Sequence, residues 1–412
     1  MQQIAPKEEP APPQALSGIR VIDLSQNIAG PFCTKLLADY GADVVKVEPL
    51  GGDAARRMGP FYKDQPHPEH SGLFMHLNTN KRGVTLNLDS ATGRKVLREL
   101  AKDADAMIED LGPGAVERLG LGYDILRKLN LRLVVTSISD FGRTGPYRDY
   151  KAVEMMYYAM GGPMYATGDP EREPMKTGGN VSQYQAGSAA ALATMTALFA
   201  AELQGKGAHI DLSIMETQLG SIDRRSSRLL GYQYTGVVGP RSLDIFGIGS
   251  GPHPCKDGWI NLLGGEFGFE RMCAMIGRPE LIEDDRFSTR EAQAQSGSVE
   301  AFEEYYLPWL LERTKQEVWS QAQDFRIPSG VINTTEDLLA DVNFRERDVW
   351  AEANHPVVGR VTQPGRPFIM YRTPWRLRRP APTLGQHNQE VLCGELGFSK
   401  SELVVLKESG AI

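Results

Sequence analysis

The stretch that decides the fold is residues 20–48, RVIDLSQNIAGPFCTKLLADYGADVVKVE. It begins with a short apolar strand, Arg20–Leu24, and ends with a second one, Val44–Glu48. Between the two strands, the turn Asn27–Pro31 opens a helix, and Gly41 ends that helix. A strand, a helix and a strand within about thirty residues form a βαβ unit, whose strands are parallel and whose crossover is right-handed.

The same alternation continues along the chain. Strands are predicted at Val84–Leu88, Ala106–Glu109 and Leu133–Ile138, and helices at Ala91–Lys102 and Tyr123–Leu129. This order predicts a doubly wound, Rossmann-like α/β domain. A further helix over residues 186–204 is rich in small side chains, which suits close packing in the middle of a fold or a dimer.

The composition changes along the chain and suggests separate regions. Residues 1–15 are polar and rich in proline, which predicts a disordered arm. The α/β pattern occupies residues 16–215, as the first part of a large domain. The sequence pattern of residues 216–340 then predicts a smaller α+β domain, with a Gly-rich loop at 241–258 and a strand at Trp259–Leu263.

Composition also narrows the classes of function. The net charge is −7 and no block of Lys or Arg exceeds a few residues, so nucleic acid is not expected to be the main partner. The N-terminal segment has no apolar core of a signal peptide, and no uncharged apolar run reaches the length of a membrane span. A cytoplasmic location is therefore expected.

Neither a zinc site nor a disulfide framework is predicted, because the four cysteines lack CxxC spacing: Cys33, Cys255, Cys273 and Cys393.

An ordered series of short motifs carries a family resemblance. The motifs are Leu16–Leu24, Ala29–Cys33, Gly41–Glu48, Asn78–Arg82, Gly112–Gly114, Leu119–Tyr123, Phe141–Tyr147, Gly205–Ser213 and Leu384–His387. In this order, across residues 16–410, the chain resembles the family III CoA-transferases, the formyl-CoA and carnitine CoA-transferase group. The resemblance implies a two-domain subunit in which residues 341–412 return to the large domain. It also implies two subunits interlocked like chain links.

The resemblance implies that CoA, as a substrate and not as a permanently bound cofactor, lies along the large domain. The positions that match the family's CoA contacts are Ile28, Ala29, Leu86, Asp89, Asp110 and Gly112, with Arg118 and Lys151 near the nucleotide part. Cationic side chains and the N–H groups of Gly-rich turns suit phosphates. By themselves, however, Arg118 and Lys151 are typical of solvated surface cations. Asp110 departs from the family, which often has Asn there, and an extra carboxylate near a polyanion predicts weak CoA binding.

Gln183 departs from the family at the most important position. In the family, an aspartate four residues before the residue matching Gly187 attacks the acyl-CoA to give a mixed anhydride, and the CoA thiolate then forms an aspartyl-CoA thioester. Gln183 keeps the hydrogen-bonding ability of such a side chain but lacks the charge and the nucleophilic oxygen. No residue of this chain is therefore predicted to be catalytic in that cycle. The aspartate is expected on a paralogous subunit, in an interlocked heterodimer or heterotetramer.

Three functions remain open from the sequence. The first is a non-catalytic subunit of a CoA-transferase, most similar to the type that moves CoA from succinyl-CoA to (R)-2-benzylsuccinate in anaerobic toluene degradation. The second is an acyl-CoA racemase or isomerase, although no histidine matches the acid–base pair of related racemases. The third is a CoA-binding scaffold without turnover.

Several other residues could belong to a site. Gly247, Gly249 and Gly251 match a mobile glycine loop that shields the family's reactive intermediate, but they equally suit a flexible surface connection. No metal is expected, because the histidines that lie close in sequence lack supporting ligands: His67, His70 and His76. Asp140 is the nearest alternative carboxylate, and a turn or capping role is favoured for it.

Overall fold

The computed structural model describes residues 13–219, 224–239, 241, 247–295 and 297–412. The chain forms two compact units. Unit 1 contains the chain up to Thr167, together with Met175–Gly239 and Asp348–Ile412, and unit 2 contains Gly168–Pro174 and Pro240–Arg347. Residues 216–219 and 224–239, which the sequence assigned to the small domain, thus group with the large unit.

Unit 1 is built on a six-stranded sheet whose paired strands are all parallel. The strands are β1 (Arg20–Asp23), β2 (Asp43–Glu48), β3 (Lys81–Thr85), β4 (Ala106–Glu109), β5 (Val134–Ser139) and β6 (His209–Ser213). Their order across the sheet is β3-β2-β1-β4-β5-β6, which is that of a doubly wound Rossmann-like fold. The predicted fold class is therefore confirmed.

Helices cover both faces of this sheet. The helices of unit 1 that precede its C-terminal segment are α1 (Ala29–Asp39), α2 (Gly72–Leu77), α3 (Ala91–Lys102), α4 (Ala115–Arg118), α5 (Tyr123–Leu129), α6 (Glu154–Met160), α7 (Val181–Gln204), α8 (Ile214–Leu219) and α9 (Arg224–Thr235). One apolar core joins the sheet to α3 and α5, and the other joins it to α1 and α7. Each face of the sheet thus has its own buried layer, as the near-continuous apolar strands require.

Two elements of unit 1 differ from the prediction by more than one residue. The third strand covers Lys81–Thr85 instead of residues 84–88, because the charge of Lys81 is neutralised inside the fold, where its Nζ lies 3.0 Å from Asp23 Oδ2. Leu86 consequently follows the strand and is not part of it. Helix α7 begins at Val181, earlier than the predicted residue 186, so Gln183 lies in its first turn.

Helix α7 is long and apolar enough, by length and composition, to cross a membrane. It instead packs along α1 in unit 1, and small residues allow a close approach. A Cβ on Gly187 would lie 2.5 Å from the carbonyl oxygen of Ala29. The small-residue composition of the helix therefore serves helix packing within this unit.

Unit 2 contains a three-stranded antiparallel sheet in the order β7-β8-β9. Its elements are β7 (Ser250–Cys255), β8 (Gly258–Leu263), α10 (Gly264–Met275), α11 (Arg290–Gln293), α12 (Ser298–Leu311), α13 (Lys315–Asp324), β9 (Ser329–Ile332), α14 (Thr335–Ala340) and α15 (Val342–Glu346). The loop predicted at residues 241–258 is wrong in its second half, which forms β7 by pairing with β8. Aromatic residues such as Phe287 and Phe302 fill the core of this unit.

The C-terminal segment belongs to unit 1. It forms the hairpin of β10 (Trp350–His355) and β11 (Gly359–Pro364), followed by α16 (Asn388–Gly394) and α17 (Lys400–Glu408). The Gly83 N–H donates to His387 Nδ1 at 3.0 Å, and the Thr85 N–H donates to Asn388 Oδ1 at 2.9 Å. These bonds fasten the C-terminal helices to the edge strand β3.

Candidate functional site

A cavity of about 380 Å³ lies in unit 1 at the carboxyl ends of β1, β4 and β5. The strand order reverses between β1 and β4, and ligands of doubly wound sheets bind outside the carboxyl ends of the strands at such a point. The lining includes five of the positions that match family CoA contacts, namely Ile28, Ala29, Asp110, Gly112 and Lys151, together with Gln183. The order of the strands thus brings these residues, which are distant in sequence, to the same cavity.

A second cavity, of about 350 Å³, adjoins the first through Gln26, which lines both. Leu86 and Asp89 line this second cavity. Leu111 also lines it, although its two neighbours in sequence, Asp110 and Gly112, line the first. Arg118 lines neither cavity, and lies instead beside the turn Gly112–Gly114. The two cavities together form an extended groove, which suits an elongated ligand.

The backbone of residues 26 and 27, at the first cavity, is held by side chains that follow other strands. The Gln26 N–H donates to both carboxyl oxygens of Asp110, at 3.0 and 2.9 Å. The Asn27 N–H donates to Asp53 Oδ1 at 3.0 Å, and Asn27 adopts a φ of 61°. The turn that leads into α1 is therefore held from two sides, which keeps Ile28 and Ala29 at the cavity wall.

A buried charge network lies behind this turn. Lys46 Nζ lies 2.8 Å from Asp53 Oδ2 and donates to the carbonyl of Ser25 at 2.8 Å. Burial by itself would raise the pKa of Asp23, but Lys46 and Lys81, with hydroxyl donors, hold that pKa well below its usual range. Burial lowers the pKa of Lys81 to about 8. The positive and negative charges of the network neutralise one another, and the network holds in place the turn that leads into α1.

Gln183 lines the cavity from the first turn of α7. The buried carboxylate of Glu154 accepts the N–H of Ser182 at 2.8 Å and the N–H of Gln183 at 3.3 Å. A carboxylate at this place satisfies donors that a helix N-terminus leaves unpaired and interacts favourably with the helix dipole. Sequence reasoning missed Glu154, because its local sequence carries no signal that it reaches a helix beginning almost thirty residues later.

Asp140 also lines the cavity, but its oxygens are both occupied. Tyr157 donates its hydroxyl to Oδ1 at 2.5 Å, and the Ala152 N–H donates to Oδ2 at 3.0 Å. Burial, and then the Asp140 carboxylate, raise the pKa of Tyr157. Asp140 thus holds the segment that leads into α6.

Three cations surround the turn Gly112–Gly114. Arg118 Nη1 and Arg148 Nη2 both lie 3.2 Å from the position that a Cβ on Gly114 would occupy, and Lys151 Nζ lies 3.4 Å from that of Gly112. Both glycines have positive φ, so a side chain there would be strained as well as crowded. Arg148 was not predicted from the sequence, because it comes close to Arg118 only through folding.

The remaining candidates lie elsewhere. Gly249 and Gly251 belong to unit 2, where a Cβ on Gly249 would meet Met272 Cε at 2.7 Å, so this turn packs on the unit's own core. Gly247 precedes it, and Phe246 lies outside the described residues. His67 is exposed and His70 is half-buried, whereas burial lowers the pKa of His76 to about 4. Within the described ranges, no group of three or more His, Cys, Asp or Glu side chains is arranged to hold a metal ion.

Comparison with known proteins identifies a family and relatives over most of the chain. The model of CoA-transferase family III matches residues 16–388. The succinate–glutarate CoA-transferase of Agrobacterium fabrum is 34% identical over 92% of this chain and 94% of its own length. The subunit BbsE of succinyl-CoA:(R)-benzylsuccinate CoA-transferase from Thauera aromatica is 30% identical over 97% of this chain and 98% of its own length.

A solved structure shows the same architecture. The crystal structure of a CAIB/BAIF family protein from Brucella suis superposes with a TM-score of 0.80 at 28% identity, covering 93% of this chain and 99% of that one. Family match, relatives and fold agree over nearly the full length. The chain belongs to CoA-transferase family III.

Proposed function

We propose that this chain is the non-catalytic subunit of a hetero-oligomeric CoA-transferase, in which a paralogous subunit supplies the nucleophilic aspartate. The observation that carries the proposal is that Gln183, which the family resemblance matches to the nucleophile, lines the cavity. An amide cannot form the anhydride and thioester intermediates of that cycle. Of the carboxylates that line the cavity, Glu154 binds the start of α7, Asp140 binds Ala152 and Tyr157, and Asp110 accepts the Gln26 N–H.

Exposed apolar side chains support an oligomer. Leu192, Phe199 and Leu203 of α7 are 71%, 63% and 70% exposed. Large apolar side chains clustered on one helix are typical of a surface that another subunit covers. One relative is itself named as a subunit. We therefore propose an interlocked heterodimer or heterotetramer, in the cytoplasm, with the paralogue as partner.

For the substrates, we propose succinyl-CoA as the donor and (R)-2-benzylsuccinate as the acceptor, which places the enzyme in anaerobic toluene degradation. Support for the donor comes from relatives whose names include succinate or succinyl-CoA. Support for the acceptor comes from the relative named for benzylsuccinate. CoA is a substrate in this proposal, held along the groove by the positions at the carboxyl ends of the strands and by Arg118 and Lys151.

The test is co-expression with an Asp-bearing family III paralogue from the same genome. Stable co-purification, CoA transfer from succinyl-CoA to (R)-2-benzylsuccinate, and loss of this transfer on Asp→Asn in the paralogue are expected. Glutarate serves as the comparison acceptor, and a preference for it would overturn only the acceptor assignment.

Other outcomes separate the alternatives. Transfer by the purified chain alone would overturn the non-catalytic role. Epimerisation of a chiral acyl-CoA by the chain alone would indicate a racemase. Binding of CoA without turnover alongside any paralogue would indicate a scaffold.

A further inference from the structure

Asp110 presents an unusual carboxyl group at the centre of the groove. It follows β4 directly, at the point where the strand order reverses, and lines the larger cavity. Both of its oxygens face one donor, the N–H of Gln26, at 3.0 and 2.9 Å. Among the described residues no other hydrogen-bond donor reaches it. An ionised carboxylate can accept about four hydrogen bonds, so this one is poorly satisfied as an anion.

The charged surroundings also disfavour the anion. Burial raises the pKa of Asp110 well above its usual range, and the neighbouring carboxylates Asp53 and Glu109 raise it further, against the Gln26 N–H and Lys46. Lys46 is itself engaged by Asp53 at 2.8 Å and by the carbonyl of Ser25. The other titratable groups on the cavity wall are Asp140, Arg148, Tyr150, Lys151, Glu154 and Tyr157.

We propose that Asp110 binds an acyl-CoA as a neutral carboxylic acid. Its carbonyl oxygen keeps the hydrogen bond from the Gln26 N–H, and its hydroxyl donates to an amide carbonyl of the ligand's pantetheine arm. The carboxylic acid then offers one acceptor and one donor, the same pattern as the Asn that the family often carries at this position. The inference rests on the proposed function for the identity of the ligand.

The proton balance follows directly. When the free protein holds Asp110 ionised, ligand binding takes up one proton from solvent, and no covalent bond changes. Affinity for CoA is then full at low pH and falls about tenfold for each pH unit above the pKa of the free carboxyl.

Titration calorimetry of the full chain with CoA tests the proposal. Proton uptake is measured between pH 5 and 8 in two buffers of different ionisation enthalpy. The wild-type protein is expected to take up close to one proton more than Asp110→Asn at the upper end of this range. The asparagine variant is expected to bind CoA with nearly constant affinity and at least as tightly as the wild type at pH 8.

Two controls isolate the group and the ligand. Glu109→Gln removes the adjacent buried carboxyl, which does not line the cavity, and is expected to keep the wild-type proton uptake. Adenosine 3′,5′-bisphosphate has phosphates without the pantetheine arm, and its proton uptake is expected to be the same in the wild type and in Asp110→Asn.

Contrary results have distinct meanings. Equal proton uptake and equal pH dependence in the wild type and Asp110→Asn, at a pH where the carboxyl of the free wild-type protein is ionised, would overturn this proposal and leave the proposed function standing. Weaker CoA binding by Asp110→Asn at every pH would also overturn it, because the anion would then be the binding form. Absence of CoA binding in every folded variant would overturn both this proposal and the placement of CoA on this chain.

Discussion

The carboxylate of Glu154, at the start of α6, accepts the backbone N–H of Gln183, in the first turn of α7. The same carboxylate accepts the Ser182 N–H at 2.8 Å, and Glu154 is 7% exposed. The backbone at residue 183 is therefore fixed by a neighbouring helix, independently of the side chain that it carries. A substitution at residue 183 should change the chemistry of the cavity without moving the start of α7.

The variant Gln183→Asp tests whether the cavity is otherwise able to catalyse CoA transfer. If the rest of the cavity is competent, the new carboxylate is expected to attack succinyl-CoA, and an enzyme-bound CoA thioester should appear at residue 183. Intact-mass spectrometry and trapping with hydroxylamine detect this intermediate. Gln183→Asn is the matched control, because it has the size of aspartate without its nucleophilic oxygen, and it should form no adduct. A lack of adduct in a variant that still binds CoA would show that the site lacks more than the carboxylate.

Glu154→Gln should destabilise unit 1. The amide keeps one acceptor oxygen but turns an N–H₂ group towards one of the two backbone donors, and the negative charge at the helix N-terminus is lost. We expect a loss of about 1–3 kcal/mol in the free energy of unfolding, measured in urea. Glu202→Gln, at the exposed opposite end of α7, is the control and should be within about 0.5 kcal/mol of the wild type. Equal effects of the two variants would contradict the capping role.

Gly187→Ala should destabilise the protein although alanine favours helices. Its Cβ would lie 2.5 Å from the carbonyl oxygen of Ala29 and 3.1 Å from the ring of Phe32, so α1 must move away from α7. Overpacking of this kind costs about 1–3 kcal/mol, which exceeds the gain in helix propensity of about 1 kcal/mol. Because Ala29 lines the cavity, affinity for CoA should fall as well.

The matched control for that variant is Gly231→Ala. Gly231 is also a helical glycine, and a Cβ there meets no atom within 4 Å. This substitution should stabilise the protein by about 0.5–1 kcal/mol. Thermal unfolding of both variants distinguishes the close helix contact from a general effect of replacing glycine.

Asp23→Asn should be the most damaging of these changes. It leaves Lys81, which is fully buried and lies 3.0 Å from Asp23, without its counter-charge, and removing one partner of a buried ion pair costs about 3–5 kcal/mol. Because the folded pKa of Asp23 is depressed, its stabilisation is complete above the unfolded value of about 4 and is lost as the pH falls through the folded value.

The measurement is urea denaturation of Asp23→Asn and of the wild type from pH 7 down to pH 3. The difference should be at least as large at pH 5 as at pH 7, because the pKa of Lys81 falls further without Asp23, and it should shrink only below the unfolded pKa of Asp23. Asp103→Asn, at an exposed helix end, is the control and should change the stability by about 0.5 kcal/mol or less. A difference that already shrinks between pH 7 and 5 would contradict the depressed pKa.

Periodicity predicted most of unit 1, including the bounds of α3, α5 and β4. It was wrong where distant partners change the burial of a charged residue. Lys81 and Arg82 belong to β3 because carboxylates elsewhere in the fold neutralise them. The start of α7 was missed for the same reason, since Glu154 supplies the acceptors that its first turn lacks locally.

The sequence by itself determined the alternation of strands and helices, the family motifs, and the amide at position 183, because each of these is a local property of the chain. The tertiary structure alone decided which polar groups meet. Asp110 reaches the N–H of Gln26 across 84 residues of chain, Lys81 reaches Asp23 across 58, and Glu154 reaches Gln183 across 29. Local patterns report whether a residue is buried, whereas the partner that makes burial of a charge tolerable is chosen by the packing of distant elements.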